Sequence, residues 1–107
     1  MKPEDMFSTN NIDDVITCIL KEVNNGQTLF TMFPVYNPKL GIGEEYSIVG
    51  KKENHTFIVN TLKEKNVGVK KIVDSFYVFF PASLSEEEQK DIEREAISLA
   101  HMYDIID

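Results

Sequence analysis

Near the start of the chain, Ile12, Val15, Ile16, Ile19, Leu20 and Val23 fall at i, i+3, i+4, i+7 spacing. That stripe predicts an amphipathic helix. Asn11 offers an N-cap oxygen, and Asp13 and Asp14 occupy the first turn, where the helix dipole favours acids. Asn24-Asn25-Gly26 supplies a left-handed stop. The period then changes. Residues 28–33 are rich in aromatic and β-compatible side chains and predict a first strand. Pro34 has no ladder donor, so it marks that strand as an edge or ends it. Asn37-Pro38, Gly41 and Gly43 then make a loop.

Residues 45–51 predict a second strand, in which Tyr46 and Ile48 alternate with Ser47 and Val49. Residues 55–62 predict a third, with Phe57 and Val59 on one face and Ile58 and Leu62 on the other. Lys52-Glu53-Asn54 turns the chain between them, so the two read as a hairpin. Residues 69–80 form a fourth strand region, which Asp74-Ser75 either bulges or splits in two. Its last part, Phe76-Tyr77-Val78-Phe79-Phe80, is apolar without alternation, the mark of a central strand buried on both faces. Pro81 ends it.

The final helix has a clear start, because Ser85 followed by Glu88 is a capping box. Its stripe is Ile92, Ala96, Leu99, Tyr103 and Ile106, widened by Ile97, Ala100 and Met102. The first turn and a half is polar, so that end is expected to stand off the body. These elements predict one α+β domain over residues 1–107, in the order α-β-β-β-β-α. An antiparallel sheet of about four strands is flanked by an N-terminal and a C-terminal helix, both on one face.

Composition narrows the class. An apolar fraction of 42% and a charged fraction of 27% suit a soluble globular chain of 107 residues. Cys18 stands alone, which excludes an intrachain disulfide framework. No apolar run is long enough to span a bilayer, and the first residues lack a signal core. A cytoplasmic protein is therefore expected, or one in a host cytoplasm if it is phage-encoded. Arg94 is the one arginine, while Ile, Lys and Asn are plentiful. That bias is what A/T-rich codons produce, so a low-GC bacterium or its phages suit the composition.

Charge is uneven along the chain. Residues 1–26 carry two lysines against five acids, net −3. Residues 27–81 carry seven lysines against five acids, net +2. Residues 82–107 carry Lys90 and Arg94 against eight acids, net −6, which completes the total of −7. No concentrated Lys/Arg face with arginine forks is present, so direct nucleic-acid binding is not expected.

Candidate chemistry is sparse. Gly41-Ile42-Gly43 is followed by a predicted strand and two glutamates, which is the wrong context for a phosphate loop. Ser98, His101 and Asp104 lie three apart along one predicted helix, whereas a catalytic triad converges from several elements. Two histidines, His55 and His101, and one cysteine show no metal-ligand spacing. No cofactor is expected, and no catalytic set emerges.

The sharper signal is acidic. Glu88, Asp91 and Glu95 share one face of the last helix, with Glu86 and Glu93 on a neighbouring one. First-turn acids also stabilise a helix with no partner at all, by about 0.3–1 kcal/mol each. The leading expectation is a small acidic, non-enzymatic module that docks through Glu86, Glu88, Asp91, Glu93 and Glu95 on a basic surface of a partner. A phage or mobile-element inhibitor of a host nucleic-acid-handling protein suits that description. One alternative is a small-ligand domain or enzyme, its pocket between the loop at residues 41–45 and the C-terminal helix. Tyr46, His101 and Asp104 would be the polar groups there. Another is a homodimer, joined through a sheet face left bare or through the helix stripe.

Overall fold

A computed structural model of the chain describes residues 11–32, 52–74 and 76–104. The elements are α1 (Ile12–Asn24), β1 (Leu29–Met32), α2 (Lys52–Glu64), β2 (Val67–Val73), β3 (Phe76–Pro81) and α3 (Glu86–Met102). The class is α+β, as the sequence predicts, with three helices and three antiparallel strands among the described residues.

α1 forms as its stripe requires. Asn11 Oδ1 accepts the Asp13 N–H at 3.0 Å, and Val15, Ile16, Cys18, Ile19 and Val23 are buried. The helix ends in a Schellman motif: the Gly26 N–H donates to the Val23 carbonyl and the Gln27 N–H to the Glu22 carbonyl. Gly26 sits at φ +82°. An L side chain is disfavoured there by the backbone alone, since a Cβ at this position would meet nothing within 4 Å.

The third predicted strand is a helix. Residues 55–62 lie inside α2, so the predicted hairpin with residues 45–51 does not form. Residues 45–51 themselves lie outside the described residues. Thr56, Phe57, Ile58, Val59 and Thr61 carry strand propensity, yet strict alternation would leave Asn60 on one face and His55 and Thr61 on the other. Helical spacing instead gathers His55, Ile58, Val59 and Leu62 at i, i+3, i+4, i+7, and all four are buried. Phe57 falls off that face and is 52% exposed. Asn66, at φ 64°, takes the left-handed position after α2 and turns the chain directly into β2.

The fourth strand region is two strands. β2 and β3 form the hairpin of this fold, and the chain reverses at Asp74. A bulge lies between Lys71 and Val73. In the turn, Lys71 Nζ lies 2.8 Å from Asp74 Oδ1. The hydrogen bond and the charge of Asp74 raise the Lys71 pKa, so the ammonium form persists further into the alkaline range. Support from the lysine side of the pair is present at neutral pH and is lost as pH rises through the raised Lys71 pKa.

The strand order is β1-β3-β2, with β3 central as predicted. Leu29 pairs with Phe79 and Met32 with Phe76 on one side; Val67 pairs with Pro81 and Val69 with Phe79 on the other. β1 and β2 therefore run parallel, with β3 between them and α2 in the connection that joins them.

Each face of β3 faces a different core. Phe79 joins Val15, Ile16, Ile19 and Val23 of α1, Ile58 and Leu62 of α2, and Val67, with Tyr77 packed alongside. Phe76, Val78 and Phe80 join Ala96 and Ala100 of α3, flanked by Phe30, Ile72, Val73, Leu84, Ile92 and Leu99. α1 and α3 thus cover opposite faces of the sheet, not the same one. A central strand that is apolar on both faces demands this, because a bare face would leave Phe76, Val78 and Phe80 in water. The bare sheet face expected as one seam for a homodimer is covered for the same reason: Phe76, Phe79 and Phe80 are buried.

The fully buried positions of α3 are alanines, Ala96 and Ala100, with Ile92 and Leu99 half-buried beside them. Opposite them, Gly68 pairs with Phe80, and a Cβ on Gly68 would overlap the Phe80 ring. The ring lies over the bare backbone of the glycine. The two glycines are therefore predicted to respond differently to alanine. Gly26→Ala should cost about 1 kcal/mol, from backbone strain only. Gly68→Ala should cost about 1–3 kcal/mol, because Phe80 must shift within a packed core. Urea titration followed by circular dichroism measures both; equal, negligible shifts in the two midpoints would contradict this packing.

Candidate functional site

The acidic segment lies at the start of α3, and its local structure follows from four residues. Ser85 is the N-cap, and its Oγ accepts the Glu88 N–H at 3.2 Å. Glu88 Oε1 in turn accepts from the Ser85 N–H at 3.3 Å and from Ser85 Oγ at 3.0 Å. The predicted capping box is complete. Gln89 Nε2 adds a bond to the Leu84 carbonyl at 3.0 Å, which ties the entering chain to the first turn. Leu84 packs against the α3-side core. The N-terminal end of α3 is thus held to the chain that precedes it, while its glutamates remain exposed.

The five predicted docking residues have different surroundings. Glu88 is exposed but serves the capping box. Asp91 Oδ1 accepts from Arg94 Nη1 at 2.7 Å, one turn along the helix. Glu93 is turned toward the sheet, where its Oε2 lies 3.1 Å from Lys70 Nζ of β2. Lys70 stands opposite Val78 and therefore shares the face that α3 covers. Glu86 and Glu95 are exposed, as is Glu87. The helix therefore presents Glu86, Glu87 and Glu95 outward, and places Glu88, Asp91 and Glu93 in contacts within the chain. The Asp91–Arg94 pair follows from i, i+3 spacing. The Lys70–Glu93 pair spans 23 positions and needs the fold to bring it together.

The alternative ligand residues are placed separately. His101 is exposed in the last turn of α3. Asp104 is exposed at φ 58°, and its N–H donates to the His101 carbonyl at 3.2 Å, so it closes the helix in the left-handed position. Ser98 is exposed as well. Tyr46 and the loop at residues 41–45 lie outside the described residues. His55 is buried on α2 and His101 is exposed on α3, helices that cover opposite faces of the sheet. Among the described residues, no group of three or more His, Cys, Asp or Glu side chains is placed to hold a metal ion. Cys18 is 4% exposed and packs in the α1-side core as a small apolar residue.

The far end of α3 departs from the predicted stripe. Ala96 and Ala100 are buried, and Ile92 and Leu99 half-buried, but Tyr103 is 69% exposed and Met102 68%. The helix is anchored through its middle. Among the described residues, no helix is long and apolar enough to cross a membrane. No family model matches the chain, and no curated protein or solved structure shows significant similarity to it.

Two measurements test this local account. Ser85→Ala removes the cap oxygen and should cost about 1 kcal/mol of stability, whereas Glu86→Gln should cost under about 1 kcal/mol. A double-mutant cycle with Lys70→Met and Glu93→Gln should give a coupling below about 1 kcal/mol, because both side chains remain partly open to solvent. Its value should shrink in 0.5 M salt; a coupling that ignores salt would place the pair in a drier setting than the one described.

Proposed function

We propose that the chain is a small non-enzymatic protein-binding module that docks on a basic surface of its partner through the exposed acids of α3. The observation that carries this reading is the outward placement of Glu86, Glu87 and Glu95 on a capped, sheet-anchored helix. A helix held in this way loses little freedom on binding, which lowers the cost of association. The exposed carboxylates of α3 outnumber its exposed cations, Lys90 and Arg94, and such a net negative helix draws in a basic surface, at the expense of strong salt dependence. A surface built for nucleic acid has that character, so a nucleic-acid-handling protein is the partner class proposed. Inhibition by a phage or mobile-element product suits the size, the −7 charge and the Ile-, Lys- and Asn-rich composition.

Glu88, Asp91 and Glu93, which already hold partners within the chain, contribute to the field more than to direct contacts. The test follows that division. Tagged wild type and a Glu86→Lys/Glu87→Lys/Glu95→Lys variant, both retaining Ser85 and Glu88, are used for capture from a low-GC bacterial lysate at 50 and 300 mM salt. A Glu86→Gln/Glu87→Gln/Glu95→Gln variant separates charge reversal from loss of first-turn helix support, and circular dichroism checks that each is folded. The expected result is a basic partner held by wild type, weakened about tenfold or more by the lysine variant, and released by salt. Equal recovery by all three folded proteins would overturn the docking role of α3.

A further inference from the structure

We draw no further inference here: the strongest candidate, the exposed apolar patch formed by Met102 and Tyr103 at the C-terminal end of α3, carries nothing because the structure does not show what covers it.

Discussion

β3 is the element on which the rest of the structure depends. It is six residues long, hydrogen-bonded along both sides, and apolar on both faces. Phe79 and Val78 are each fully buried, in opposite directions, and Phe76 and Phe80 nearly so. Burying a side chain of this kind is worth about 1.5–3 kcal/mol, so neither face of the strand can be left to solvent. Helices on both sides of the sheet follow from that single constraint. α1 and α2 cover one side and α3 the other, which makes the position of the acidic helix a consequence of β3.

The two cores are built differently. The α1–α2 side uses long aliphatic side chains, Ile19, Ile58 and Leu62 among them, around Phe79. The α3 side sets alanines against phenylalanines, so volume comes from the strand and closeness from the helix. Gly68 extends the same solution into β2, where the Phe80 ring occupies the space a side chain would need. One outcome is that α3 lies near enough to the sheet for Glu93 to reach Lys70. That contact takes one carboxylate out of the acidic row, while Glu86, Glu87 and Glu95 stay exposed.

The proposed docking role and the stability of α3 would draw on the same few acids in different proportions. Glu88 completes the cap, Asp91 meets Arg94 and Glu93 meets Lys70, while Glu86, Glu87 and Glu95 extend into solvent. In the proposed docking role, the first group fixes the helix and the second meets the partner. The separation matters for interpretation, because altering Glu88 changes the helix start as well as the surface.

Local signals in the chain were enough to specify α1 with its cap and its glycine stop, the capping box at Ser85, the central position of the residue 76–80 run and the acidic character of the last helix. Each depends on contacts within a few residues or on a simple count of apolar positions. Three features needed the folded chain. Residues 55–62 have strand-forming side chains, but their helical face finds apolar partners on α1 and β3, and that packing outweighs propensity. α1 and α3 take opposite faces because the sheet between them has two apolar sides, a property of strands side by side that no single helix stripe reveals. The pairing of Glu93 depends on Lys70, 23 residues away, and only sheet register and helix packing bring such a pair within 3.1 Å.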